Sequence, residues 1–91
     1  MKVGYIGSSE VSDFHITALQ KNGFEISAIG TTKNSIRCKE ISRKFNLRDN
    51  YCPNGWQEVI NQDLEAYVIC TDIKSTPQII ENALEKGKPI F

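Results

Sequence analysis

At 91 residues the chain can bury one modest core, and 40% hydrophobic with 24% charged residues is the balance of a single globular domain. Eleven basic and eleven acidic residues cancel, and with no basic run or aromatic-basic patch there is no electrostatic case for a nucleic-acid or membrane partner. Cys38, Cys52 and Cys70 are odd in number, far apart and without a histidine cluster, which argues against zinc and against a disulfide framework.

The absence of an apolar leader before the first strand and the cysteine usage fit a reducing cytoplasm. Lys2-Val3-Gly4-Tyr5-Ile6 reads as a short buried strand, Gly7-Ser8-Ser9 as a tight turn, and about Glu10 to Lys21 as a helix. Val11, Phe14, Ala18 and Leu19 recur at helical spacing there, and Asn22-Gly23 supplies the stop. Phe24 to Ile29 predicts a second buried strand ending at Gly30. Thr31 to Asn34 is a polar loop, after which Ser35 can cap a helix carrying Cys38, Ile41 and Phe45 on one face.

Arg48 to Cys52 predicts a brief third strand, broken by Pro53-Asn54-Gly55, and Trp56, Val59 and Ile60 mark a short helix. Ala66 to Thr71 is the most strongly apolar run, expected at the centre of the sheet and buried on both faces. Asp72 to Ser75 follows as a loop, Thr76-Pro77 opens a helix as cap and first turn, and Gly87 stops it. Lys88 to Phe91 begins a fifth strand. Strands alternating with helices imply a doubly wound α/β domain of three layers, a parallel sheet in the order 3-2-1-4-5 with right-handed crossovers.

In such sheets ligands bind beyond the carboxyl ends of the strands where the order reverses, which gathers the loops at Gly7, Thr31 and Thr71. The first of these is a degraded dinucleotide fingerprint. Gly7 holds the first glycine position of G-x-G-x-x-G, whereas Ser9 and Ser12 stand at the second and third. Serine is still small, and its hydroxyl can donate to a phosphate oxygen. The plainer alternative is a strand, a turn and a helix capped by Ser8 or Ser9.

Ile6-Gly7 with His15 in the first helix, Ala28-Ile29-Gly30 closing strand two, Asp63 to Thr71, and Ala83-Leu84-Glu85-Lys86-Gly87-Lys88 together resemble the N-terminal part of the Gfo/Idh/MocA oxidoreductases. The resemblance spans the whole chain. It implies a Rossmann domain, residues 1–91, that holds NAD or NADP, and a further α/β domain that takes a sugar, cyclitol or related polyol. It also implies a Glu-Lys-Pro segment after the fifth strand that supplies a catalytic lysine, so the 91 residues alone are expected to be inactive and the sheet truncated after strand five. The open sheet edge is compatible with a homo-oligomer.

The cofactor-binding residues expected are Gly7, Ser8, Ser9, Glu10 and Val11 in the first loop, Thr31, Thr32, Lys33 and Arg37 after strand two, and Cys70, Thr71 and Asp72 after strand four. No catalytic residue and no metal ligand is expected among the 91. NAD enzymes place an acidic residue at the end of strand two, whereas here Thr31 and Thr32 stand beside Lys33 and Arg37, a set better suited to a 2′-phosphate; this favours NADP over NAD. Glu10 would repel the pyrophosphate but, at a helix start, also stabilise the helix dipole, so its net sign is open; Cys70 reads as a buried inert thiol, and His15 as a packing or capping residue. The loop after strand four departs from the family's usual Thr-Pro-Asn. The competing readings are a non-catalytic nucleotide-binding or regulatory module and a Rossmann-shaped interaction domain without a ligand.

Overall fold

The computed structural model describes residues 1–72 and 74–91; Ile73, within the predicted Asp72–Ser75 loop, lies outside the described residues. The elements in chain order are β1 (Lys2–Ile6), α1 (Ser12–Lys21), β2 (Glu25–Gly30), α2 (Ile36–Lys44), a 3-10 turn (Arg48–Asn50), α3 (Trp56–Ile60), β3 (Ala66–Ile69) and α4 (Thr76–Glu85). The three strands form one parallel sheet in the order β2-β1-β3.

Side chains alternate across β1 and so divide the core in two. Val3 and Tyr5 join Ile16 of α1, Ile26 and Ile29 of β2, and Cys38 and Ile41 of α2 on one face. Ile6 joins Ala28, Val59 and Ile60 of α3, Tyr67, and Ile79 and Ala83 of α4 on the other. This is a three-layer, doubly wound α/β arrangement of Rossmann type. Ile26 and Ile29 share a face because the β1–β2 register shifts between Val3 and Gly4, which pair with Ile26 and Ala28 and leave Ser27 as an extra residue. One bulged residue flips the parity of all that follow it.

Three expectations are corrected. The predicted third strand is a 3-10 turn followed by a single parallel bridge, Tyr51 to Ile29, and the predicted fifth is a single bridge, Ile90 to Tyr67. Asn50 explains the first, since its side-chain amide donates to the Ile26 carbonyl at 3.0 Å and takes a place on the edge of β2 that a strand backbone would fill. The central strand is β1 rather than β3. Val68, Ile69 and Cys70 are only half-buried because α1 covers β3 incompletely, leaving a groove of about 610 Å³ lined by His15, Leu19, Phe24, Val68 and Phe91 among others.

Helix starts follow local chemistry. Ser35 caps α2 as expected, accepting from the Cys38 amide at 3.2 Å. α1 begins at Ser12 instead of Glu10, after Val11, and neither Ser8 nor Ser9 caps it. Its inward face is Ser12 and Ile16, both 0% exposed, while Phe14 points to solvent at 76%. At α4 the residue before the helix is Ser75, and the Thr76 hydroxyl bonds the Asp72 carbonyl at 2.6 Å. Among the described residues no helix is long and apolar enough to cross a membrane.

Candidate functional site

The carboxyl ends of the three strands open into one cleft of about 540 Å³. Its lining comes from the loop after β1 (Ser8, Ser9, Val11), the loop after β2 (Thr31, Thr32), the start of α3 (Trp56), the loop after β3 (Cys70, Thr71, Asp72, Ser75), and Ile79 of α4. That volume lies within the range of about 300–1,000 Å³ typical of small-molecule and cofactor sites.

Gly7 makes the close approach on which the cleft depends. Its φ is +149°, and a Cβ there would stand 2.2 Å from the Cys70 carbonyl oxygen. The backbone cannot yield, because the Gly7 amide donates to Gly30 at 3.1 Å and the Cys70 amide donates to Ile6 at 2.8 Å. Ser12, at the third fingerprint position, is fully buried against β1, where the Tyr5 hydroxyl donates to its Oγ at 3.1 Å. Burial pushes the Tyr5 phenol up to about 12, with the Ser12 bond opposing the rise, so it stays neutral.

Among the described residues, the amides of Ser8, Ser9, Glu10 and Val11 have no hydrogen-bond partner. Four free donors ahead of a helix, beside the Ser8 and Ser9 hydroxyls, are the equipment for an anion such as a pyrophosphate. The side chains also agree, since Thr31, Thr32, Thr71 and Ser75 add hydroxyls around the same cleft. These residues fit a nicotinamide dinucleotide in donor chemistry and in space.

Eight of the twelve expected residues line the cleft together: Ser8, Ser9, Val11, Thr31, Thr32, Cys70, Thr71 and Asp72. Gly7 forms its turn without lining it. Glu10 and Lys33 are exposed and lie outside the lining. Arg37 also lies outside, yet its Nε donates to the Ser8 carbonyl, tying α2 to the loop after β1. Neither Lys33 nor Arg37 has a carboxylate partner among the described residues.

Asp72 is exposed, and its carboxylate accepts from the Ser75 amide at 2.8 Å. That bond, helped by the Ser75 side chain, holds the carboxyl below its ordinary range. Cys70 is half-buried, its Sγ 3.8 Å from the Ser9 Oγ, so the reading as a fully buried thiol is corrected: the end of β3 is open both to the cleft and to the groove beside α1. His15 lines that groove instead of the cleft, with Nδ1 3.4 Å from the Tyr5 hydroxyl. No group of three or more metal-ligating side chains occurs among the described residues.

Trp56, Ser75 and Ile79 were not expected at the site. Trp56 was legible in principle, because it follows the predicted third strand and so opens at the carboxyl edge of the sheet. Ile79 gave no signal beyond helical periodicity.

The family model for GFO_IDH_MocA, described as an oxidoreductase family with an NAD-binding Rossmann fold, matches residues 1–91. The chain belongs to this family. Its fold matches that of a protein described as a candidate myo-inositol dehydrogenase from Sinorhizobium meliloti 1021, with a TM-score of 0.85 at 20% identity over 100% of this chain. It also matches the UDP-N-acetylglucosamine 3-dehydrogenase GnnA from Acidithiobacillus ferrooxidans, with a TM-score of 0.79 at 19% identity over 99% of the chain. In both cases the chain spans 27% of the other protein's length. No curated protein matches it in sequence.

Proposed function

We propose that this Gfo/Idh/MocA domain binds NADP in preference to NAD, as the dinucleotide-holding part of an enzyme that oxidises a sugar, cyclitol or related polyol in the cytoplasm. The observation that carries the reading is the run of four free amides, Ser8 to Val11, of which Ser8, Ser9 and Val11 line the same cleft as Thr31 and Thr32. When bound, the nicotinamide would supply the hydride chemistry. This chain's residues would bind and orient it: the amides and hydroxyls of Ser8 and Ser9 on the pyrophosphate, Thr31 and Thr32 on the adenosine ribose, and Thr71 and Asp72 toward the nicotinamide end.

Two features support the cofactor preference. The end of β2 carries no carboxylate that would repel a 2′-phosphate, and Arg37 already reaches the loop after β1 through Ser8. Lys33, exposed and next in sequence to Thr32, offers a cation to the same phosphate. The substrate class is supported by the names of the two structural relatives, a candidate myo-inositol dehydrogenase and a UDP-N-acetylglucosamine 3-dehydrogenase.

Turnover by the 91 residues alone is not expected. Among the described residues the cleft lining holds no lysine, histidine or tyrosine to serve as the proton-transfer group for a polyol hydroxyl. The second reading is a non-catalytic dinucleotide-binding module.

Calorimetric titration of NADP and NAD against the protein, Arg37→Ala and Lys33→Ala tests the proposal. NADP should bind more tightly, and loss of Lys33 should weaken it roughly tenfold while NAD changes little, as one charge-assisted hydrogen bond is worth about 1.5–3 kcal/mol; loss of Arg37, which also ties down the loop after β1, should weaken both. Equal losses for both cofactors in Lys33→Ala would remove the preference. No binding of either would leave the ligand-free interaction domain.

A further inference from the structure

Trp56 stands where the cleft meets the loop after β2. Its amide donates to the Thr31 carbonyl at 2.7 Å, and the Asn34 amide donates to the Pro53 carbonyl at 2.7 Å, so two backbone bonds clasp the 31–34 loop to the 53–56 loop. Gly55 makes the contact close enough, since a Cβ there would lie 2.8 Å from the Thr31 carbonyl oxygen. The clasp fixes the indole beside Thr31 and Thr32 as part of the cleft lining. The side chain packs against the core cluster that includes Ile6, Val59 and Ile79 and remains half-buried.

A flat aromatic surface left partly open beside the Thr31 and Thr32 hydroxyls offers neither charge nor a strong donor set for a phosphate. It suits a planar ring that continues beyond the ribose. Stacking on an aromatic side chain is a strong and geometry-tolerant way to hold a nucleobase. Among the described residues Trp56 is the one aromatic side chain in the cleft lining.

We infer that Trp56 is the stacking platform for the purine of the dinucleotide's adenosine half. The inference rests on the proposal that the cleft binds a dinucleotide at all. It puts the purine by α3, next to the ribose proposed at Thr31 and Thr32.

The chain contains a single tryptophan, so its intrinsic fluorescence reports on this ring alone. The experiment titrates the protein with NADP, 2′-AMP and nicotinamide mononucleotide, following emission and, in parallel, heat. NADP and 2′-AMP should quench the emission saturably, whereas nicotinamide mononucleotide should not. Trp56→Ala should weaken NADP and 2′-AMP roughly tenfold and leave nicotinamide mononucleotide unchanged, and Trp56→Phe should keep their affinity within about threefold. The emission of the unaltered protein decides the matter even if Trp56→Ala fails to fold. NADP binding by heat with unchanged emission, or equal quenching by nicotinamide mononucleotide, would overturn the platform while leaving the dinucleotide site standing. No heat with any of the three would overturn both.

Discussion

Replacing Gly7 by alanine places one carbon where the structure leaves no room. The new Cβ would meet the Cys70 carbonyl oxygen at 2.2 Å, and at a φ of +149° the residue would also sit in backbone space that L-residues rarely occupy. Sparsely populated backbone costs about 1–3 kcal/mol, and overpacking against atoms that cannot move costs about as much again. The two together come to roughly 4 kcal/mol, which for a domain of this size lowers the melting temperature by about 15 °C or more. Gly87→Ala is the control. Its φ of +68° carries the backbone penalty, but nothing lies within 4 Å of the new Cβ, so about 1 kcal/mol is expected. Thermal melts followed by circular dichroism compare the two. If Gly7→Ala melts within about 4 °C of Gly87→Ala, the close crossing of the β1 loop and the end of β3 does not exist as described.

Tyr5→Phe should cost about 1–3 kcal/mol by leaving the buried Ser12 hydroxyl without its partner. Adding Ser12→Ala should then cost less than it does alone, and additive losses in a double-mutant cycle would refute the pairing. Burial pushes the Tyr5 phenol and the Cys38 thiol up to about 12 and the Cys52 thiol up to about 11. Groups raised on folding add stability that is fully present below their unfolded values, 9.0 for Cys and 10.0 for Tyr, and is lost as pH climbs through the folded ones. The melting temperature should therefore fall between about pH 9 and 12 and fall less steeply in Cys38→Val; identical profiles would contradict the burial of Cys38. Iodoacetamide near neutral pH should label half-buried Cys70 well before Cys38 and Cys52, as peptide mass mapping would show, and equal labelling of the three would refute the packing.

The sequence revealed the sheet's core better than its margins. β1, β2 and β3 were legible because continuous apolar runs between turn residues leave few alternatives. Tyr51 and Ile90 were overread as strands, since a residue that bridges an edge once has the same side-chain character as one inside a ladder. Ser27 could not be recognised as a bulge, because the evidence for it is the partner strand's register. In α1 the periodicity of Val11 and Phe14 suggested the buried face, yet both are exposed, and Ser12 is buried through its bond to Tyr5. Such a polar pair is invisible to a hydrophobic pattern.

At the site, small and hydroxyl residues after β1, β2 and β3 were legible because fold topology gathers those three loops. Trp56 was legible from its place after the predicted third strand, but the bond from its amide to Thr31 that brings it to the cleft is a long-range contact with no local signature. Lys33 stood out in sequence as the cation beside Thr31 and Thr32 with Arg37 as a second, and the bond from Arg37 to the Ser8 carbonyl had no sequence signal.

The account stands or falls on where a dinucleotide binds. Titrating the isotope-labelled protein with NADP while recording backbone amide resonances measures this directly. The largest shifts should fall on Ser8, Ser9, Glu10 and Val11, with further shifts at Thr31, Thr32, Trp56 and Thr71. Shifts centred on His15, Leu19, Phe24 and Val68 in the groove beside α1, or no shifts at all, would contradict it.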